Sequence, residues 1–387
     1  MDDQQTLELA RDLIRIESVN PGLVLGAAGE EELARFVHRF LTRRGIEARC
    51  LEVEPGRPNV LARLPGNGGG PNLLLCCHMD TVSVEGMEEP FSGRIENGRI
   101  YGRGAHDVKG GLAAMLAAAV ALSGQPRPGG GLLLAAVVDE EYRSCGTEAL
   151  LELLKKEEER PQAAVVFEPS DLQVLVAHKG FAWFCIETRG VAAHGSRPQE
   201  GVDAIAHMGR LLVLLEEHGR ELESRTPHAL IGPPSLHASL IEGGRELSSY
   251  PDRCRLDIER RTVPGESEAD VRAEVESLLD RLSREDSTFH ARSELTFLRP
   301  PFEISVKHAL PQGLARALTQ ATGRPARFGG LTAWTDSALM DAAGIPSVVF
   351  GPGGSGLHSL KEYGLVQDIF DCRDALIVFA TSFCKRE

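Results

Sequence analysis

Two histidines and several carboxylates recur along this chain at points where a metal site is chemically feasible. His78 and Asp80 close the run NLLLCCHMD, and Asp107 sits inside YGRGAHDVKGG. Glu140 and Glu141 close GLLLAAVVDEE, Glu168 follows AAVVF, and His358 stands in GSGLHSLKE. Imidazole and carboxylate without thiolate form a donor set suited to catalytic zinc, cobalt or manganese rather than to a closed structural zinc site. A carboxylate that bridges lets two cations sit a few ångströms apart with a water held between them. Once two cations have taken their ligands, one acid of the Glu140–Glu141 pair is left over. A free carboxylate beside an activated water is what a general base requires. Each residue also has a plainer reading when taken alone. Asp107 reads as a helix N-cap, His78 as a hydrogen-bonded core histidine, and the glutamate pair as a solvated strand end. Glu168 reads as a turn residue and His358 as a solvated loop side chain. The chemical reading gains weight because all of them fall at the same edge of one inferred sheet.

That edge follows from the runs that precede these residues. Strand-like segments cover 48–54, 59–64, 72–80, 131–141, 163–170 and 345–353. Several are apolar almost throughout, the pattern of strands covered on both faces. Their polar ends are carboxyl ends, where open α/β sheets place their ligands. Helical periodicity marks 5–17, 30–44, the run LAAMLAAAVAL after Gly111, a stretch around 308–321 and a last helix over 366–383. From about Gly180 the pattern changes to half-exposed strands at 181–190, 235–244, 253–263 and 293–298, with helices at 201–218 and 266–284. The order β-α-β-β-α-β reads as a small ferredoxin-like domain inserted in the larger one. The expected division is 1–179 with 300–387 as one domain, and 180–299 as the insert.

The 387 residues suffice for two domains with real cores, and 42% hydrophobic with 25% charged residues is ordinary for a globular enzyme. A formal net charge of -14 argues against nucleic acid or an anionic membrane as the main partner. Eight cysteines without CxxC pairing, two of them inside an apolar run, read as reduced thiols of a cytoplasmic protein. The opening MDDQQTLELARDLIRI is acidic and amphipathic, which reads as a helix and not as a signal peptide. No apolar run reaches the roughly 18 residues of a membrane span.

The same segments carry a resemblance. CHMD, YGRGAHDVKGG, VVDEE, FEPS, GVAAHGSRP, ERRTVPGE and GPGGSGLHSLKE stand in the order seen in a family of dizinc amidohydrolases. This is the family of acetylornithine deacetylase, succinyl-diaminopimelate desuccinylase, aminoacylase and glutamate carboxypeptidase. The likeness spans essentially the whole chain, and the Asp107 loop with Asp139-Glu140-Glu141 is its most diagnostic part. It implies a zinc-peptidase-like α/β catalytic domain with a mostly parallel sheet, and a ferredoxin-like insert that serves as dimerisation lid. It implies two divalent metal ions per chain, zinc first, with cobalt or manganese as alternatives. Asp107 would bridge them, with His78 and Glu168 completing one site and Glu141 and His358 the other. Asp80 would orient His78, and Glu140 would take a proton from the bridging water and pass it to the leaving amine. His194 of the VAAH segment would reach across a homodimer to the partner's oxyanion, and Arg261 would grip a substrate carboxylate.

The activity so implied is removal of an N-acyl group from an amino acid. Cleavage of a short peptide by a carboxypeptidase or dipeptidase is the alternative. A non-catalytic metal-binding scaffold is the remote reading, which the presence of Glu140 and every ligand disfavours. Arg260 should point away from Arg261 across its strand, leaving one of the two solvated. Three positions depart from the family pattern. His106 stands where small residues are common and reads as a local cap or hydrogen-bond partner. Ser249 replaces an Asn of several relatives. Trp334 stands near the expected pocket, either shaping acyl choice or simply packed.

Overall fold

In a computed structural model of the chain, residues 1–126 and 128–385 are described. They form two compact units. One comprises Met1–Val176, Ile304–Gly329 and Thr335–Glu387, the other Ala177–Glu303 and Gly330–Trp334.

The first unit is built on a mixed sheet whose strands run, in order, Glu47–Glu54, Arg57–Leu64, Leu132–Val137, Leu73–His78, Ala163–Phe167, Ser347–Val349 and Val174–His178. The strands at its centre pair in parallel, and the flanking ones are antiparallel. Leu73–His78, Leu132–Val137 and Ala163–Phe167 are buried at every position. That explains their unbroken apolar character, since neither face meets water. The helix Lys109–Ser123 is buried along most of its length and packs against Asp3–Arg15 and Val366–Phe383. Its alanines combine high helix propensity with the small bulk that close packing on several sides requires.

Several expected boundaries shift for identifiable reasons. The strand expected over 131–141 ends at Val137, because Asp139 adopts a φ of 69° that a strand ladder does not accommodate. Asp139, Glu140 and Glu141 therefore lie in a turn. The strand expected over 345–353 is confined to Ser347–Val349, ahead of Gly351-Pro352-Gly353. A small separate sheet of Arg94–Glu96, Arg99–Tyr101, Gly354–Ser355 and Tyr363–Leu365 was not evident from periodicity, its strands being two or three residues long.

The second unit has the order strand Gly180–Arg189, helix Ala204–Ser224, strands Ser235–Gly243 and Arg253–Thr262, helix Glu268–Glu285, strand His290–Arg299. All sheet pairings are antiparallel, with Gly180–Arg189 between Arg253–Thr262 and His290–Arg299. Phe184, Ile186, Leu256 and Ile258 face the two helices and form a core with Met208, Leu211, Val275 and Leu282. Alternation along Arg253–Thr262 buries Arg260, whose guanidinium meets Glu266 and Glu274 at 2.5 and 3.0 Å. Arg261 takes the other face, keeps 32% of its side chain exposed and pairs with Glu259 at 2.6 Å.

Residues 330–334, expected in the larger domain, belong to the second unit. The Trp334 ring packs on Phe181 and His178, and its Nε1 donates to the Pro300 carbonyl at 3.1 Å. Trp334 is thus a packed aromatic of that unit.

Candidate metal centre

The ends of two buried strands, the turn after a third and two loops of the first unit bring five ligand-type side chains together. His78 ends its strand at 2% exposure, with Nε2 3.2 Å from Asp107 Oδ1 and 3.8 Å from Glu168 Oε2. The other carboxylate oxygen of Asp107 faces His358 Nε2 at 3.3 Å, and the same nitrogen is 3.3 Å from Glu141 Oε2. Two triads result, His78/Asp107/Glu168 and Asp107/Glu141/His358. In each, the ligand atoms lie within 4.8 Å of one another. Asp107 belongs to both through different oxygens, which is the geometry of a bridging carboxylate. It does not cap the following helix, whose N-cap is Val108 with no side-chain cap bond. The Asp107–Val108 peptide bond is cis.

The electrostatics suit cations. A neutral imidazole has one N–H, and it cannot serve two carboxylate oxygens at once. Buried Oε1 atoms of Glu141 and Glu168 have no hydrogen-bond partner among the described residues, a costly arrangement for ionised acids. Burial, reinforced by the charge of Asp107, pushes Glu141 up to about 7. Burial likewise pushes Glu168 up to about 8, against the lowering effect of His78. Hydrogen bonds to Asp107 and Glu141 lift His358 to about 10. Asp107, although buried, is held well below the usual carboxylate range by His358 and His78. Acids resist ionisation here and imidazoles favour protonation, so the cluster as a whole calls for positive charge. A divalent cation in each triad would meet that need.

Asp80 ties the first triad to the Glu140 turn. Its main-chain carbonyl accepts from His78 Nδ1 at 3.0 Å, which leaves Nε2 free to act as a ligand. The carboxylate stands farther from Nδ1, at 3.5 Å. It accepts instead from the amides of Glu140 and Glu141 at 3.1 and 3.0 Å and from Asn20 Nδ2 at 2.7 Å. Asp80 thus fixes which way the glutamate pair leaves the turn. Glu141 enters a triad and Glu140 enters neither. Burial, then the charge of Glu168, raises Glu140 well above the ordinary carboxylate range, a shift toward the basicity a proton acceptor needs.

Of the remaining expected residues, His194 and Arg261 lie in the second unit. His194 is exposed, pairs with Ser249 in an isolated β-bridge, and its Nδ1 is 2.8 Å from Ser196 Oγ. The Arg261 guanidinium lies 5.3 Å from the Phe181 ring centroid. His106 does not make the local side-chain hydrogen bond expected of it. Both ring nitrogens are buried without a partner among the described residues, because the main-chain N–H, not the ring, serves this loop by donating to Glu362.

Sequence reasoning missed a second circle of buried polar residues. Arg57 bonds Glu30 and Asp139 beneath the glutamate turn, Arg103 pairs with Glu362 beneath the Asp107 loop, and Asp336 accepts from Thr147 at 2.5 Å. Glu362, four residues beyond His358, was the one with a local signal.

Residues 74–381 match the description "Peptidase family M20/M25/M40". The chain belongs to this family. Its members hydrolyse amide and peptide bonds, and this chain is such a hydrolase with a dinuclear metal-binding residue set. Among family relatives, N-formyl-4-amino-5-aminomethyl-2-methylpyrimidine deformylase of Bacillus subtilis is 27% identical, over 99% of this chain and 96% of its own. Succinyl-diaminopimelate desuccinylase of Cereibacter sphaeroides is 30% identical over 92% of each chain. Acetylornithine deacetylase of Myxococcus xanthus is 28% identical, over 89% of this chain and 87% of its own. In three dimensions the fold is that of aminopeptidase PepT from Bacillus cereus, with a TM-score of 0.79 at 20% identity and full coverage of both chains. A dinuclear metal-binding M20 peptidase from Bacillus subtilis gives 0.75 at 16% identity, covering 100% of this chain and 99% of that one. Among the described residues no helix is long and apolar enough to cross a membrane.

Proposed function

We propose that this chain removes an N-acyl group from an amino acid, in the manner of acetylornithine deacetylase and succinyl-diaminopimelate desuccinylase. The pair of triads sharing Asp107, with Glu140 held beside them and outside both, carries the hydrolase part of this reading. The deacylases among the relatives support the acyl substrate. His78, Asp107 and Glu168 would hold one cation, and Asp107, Glu141 and His358 the other. Zinc fits the imidazole and carboxylate donors best, with cobalt or manganese as alternatives. When bound, the cations supply Lewis-acid polarisation of the scissile carbonyl and acidify the attacking water. The chain's own groups carry the protons. Glu140 accepts one from the water as the new C–O bond forms, then delivers it to the departing nitrogen as the C–N bond breaks. Arg261 offers a guanidinium fork to the carboxylate of the amino-acid product. The cysteines are all free, which supports a cytoplasmic setting, and we take the working form to be a homodimer.

The test is a panel of N-acetyl, N-succinyl and N-formyl substrates beside dipeptides and C-terminal peptides, offered to zinc-loaded protein. Acyl substrates should lead in kcat/KM by about tenfold or more, equal to ~1.4 kcal/mol of transition-state stabilisation. Peptides in the lead would replace deacylase with carboxypeptidase or dipeptidase. Metal analysis on the same sample should approach two equivalents per chain. A single equivalent with full activity would overturn the dinuclear reading.

His194 is proposed as the donor to the tetrahedral oxyanion, contributed to the partner's site. Its replacement by Ala should cost about 10²–10³-fold in kcat, the usual worth of one oxyanion donor, with metal content and KM nearly unchanged. Mixing inactive Glu140→Ala protein with inactive His194→Ala protein should then restore part of the activity. No recovery after demonstrated subunit exchange would rule out a contribution across the dimer.

A further inference from the structure

Beneath the two loops that carry Asp107 and His358 lies one ion pair that bonds to both. Glu362 is 1% exposed and Arg103 is 2% exposed, and their charges meet at 2.7 Å. The other carboxylate oxygen of Glu362 accepts the main-chain amides of His106 and Asp107 at 2.9 and 3.1 Å. Its main-chain carbonyl accepts the amide of Gly102 at 3.2 Å. Arg103 also donates through Nη2 to the carbonyl of Ser359 at 3.1 Å and through Nε to that of Ser83 at 3.1 Å. The bonds of this pair thus reach both metal-site loops and the segment beside them.

The two triads depend on it unequally. His78 ends the strand Leu73–His78 and Glu168 directly follows the strand Ala163–Phe167, so the sheet fixes both. His358 has no such support. It sits at a φ of 54° with 49% of its side chain exposed, on a loop whose residues 357–361 are all exposed. Glu362 is the buried residue that ends this exposed stretch.

We propose that Arg103 and Glu362 are positioning residues that set the Asp107–His358 separation, and so hold the second triad ready for its cation. This rests on the two-cation reading above. In the clamp, Glu362 fixes the backbone on the Asp107 side and Arg103 fixes the carbonyl next to His358. Loss of the clamp frees the His358 loop to move away from Asp107 and Glu141, while His78 and Glu168 remain where the sheet puts them.

The experiment titrates metal-free protein with cobalt, following heat and visible absorption, for wild type, Glu362→Gln, Arg103→Lys and His358→Ala. Glu362→Gln keeps the side-chain shape and an acceptor for the amides but removes the charge that holds Arg103. Arg103→Lys keeps the charge but cannot reach Glu362, Ser359 and Ser83 together. Wild type should bind in two steps, one of which disappears in His358→Ala. Both clamp variants should weaken that same step by about 10–100-fold, the usual cost of losing a group that orients a metal ligand, and leave the other step nearly unchanged. Equal weakening of both steps, or of neither, would overturn the proposal. A wild type that binds one cation only would instead remove the reading on which it rests. Thermal unfolding of the metal-free proteins completes the test. Glu362→Gln leaves Arg103 buried without its counter-charge and should lower the melting temperature, whereas Arg103→Lys keeps the charge and should melt closer to wild type. Both should nonetheless weaken the same binding step. Weakening that tracks the loss in melting and spares Arg103→Lys would mean a general loss of structure and overturn the clamp.

Discussion

Glu140→Ala should retain both cations and the fold while kcat falls by at least about 10²–10⁴-fold, the range of general acid–base catalysis. The expectation follows from the turn. Asp80 accepts the amides of Glu140 and Glu141, and from that anchored backbone only Glu141 reaches a triad. Removing Glu140 takes away no ligand, so neither metal content nor melting should change. What is lost is the carboxylate that takes a proton from water and returns it to the amine, both of which belong to the chemical step. The loss should therefore appear in kcat more than in KM, and the acid limb of the kcat/KM profile should flatten with its titrating base gone. Glu141→Ala provides the contrast, since it should lose metal first and activity as a consequence. Metal analysis and steady-state kinetics on the two proteins decide the assignment. If Glu140→Ala is the variant that loses metal, the roles of the two glutamates are exchanged.

The residues of the two triads were legible in the sequence for a physical reason. A strand buried on both faces must be apolar throughout, so His78 and Glu168 at such ends stand out, and parallel strands carry their ends to one edge. Asp107 and His358 stand out instead as acid and imidazole in glycine-rich loops. The alternation of Arg253–Thr262 likewise separates Arg260 from Arg261. Within the glutamate pair, periodicity is silent, because the chain has left the strand by Val137 and turns at Asp139. The buried charges were less legible still. Arg57, flanked by Gly56 and Pro58 in EPGRPN, reads as a surface turn, yet it is 7% exposed. Its partners Glu30 and Asp139 are 27 and 82 residues away in sequence. Nothing local announces such a pair. It exists because the sheet brings the start of Arg57–Leu64 near the turn that follows Leu132–Val137. Trp334 is the converse case, a bulky aromatic whose loop context leaves pocket and packing both open and which packing in the second unit claims.

Arg57→Met is expected to cost the first unit about 3–5 kcal/mol, the penalty for removing one partner of a buried ion pair. The side chains of Arg57 and Glu30 are 9% and 0% exposed and meet at 2.6 Å. A second bond from Arg57 reaches Asp139 at 3.0 Å, where the acid is 2% exposed. Methionine preserves much of the apolar stem, so the deficit is electrostatic, with two carboxylates left buried without their cation. An exposed pair such as Arg272–Glu268, at 44% and 50% side-chain exposure, should give no more than about 1 kcal/mol when broken. The contrast between the two variants isolates burial as the cause. Glu30→Gln added to Arg57→Met removes one of the stranded charges and should recover part of the loss. Hydrogen exchange on peptides covering 55–64 and 132–142 reads this unit separately from the other, and it should show faster exchange in the single variant than in the double. The effect should also reach the chemistry. Asp139 accepts from both Arg57 and Asn20, and Asn20 in turn donates to Asp80, so the turn that aims Glu140 rests on the same network. Activity should therefore fall alongside protection in 132–142. Unchanged exchange there, with a stability loss below about 1 kcal/mol, would mean that water screens the pair as it screens surface ones.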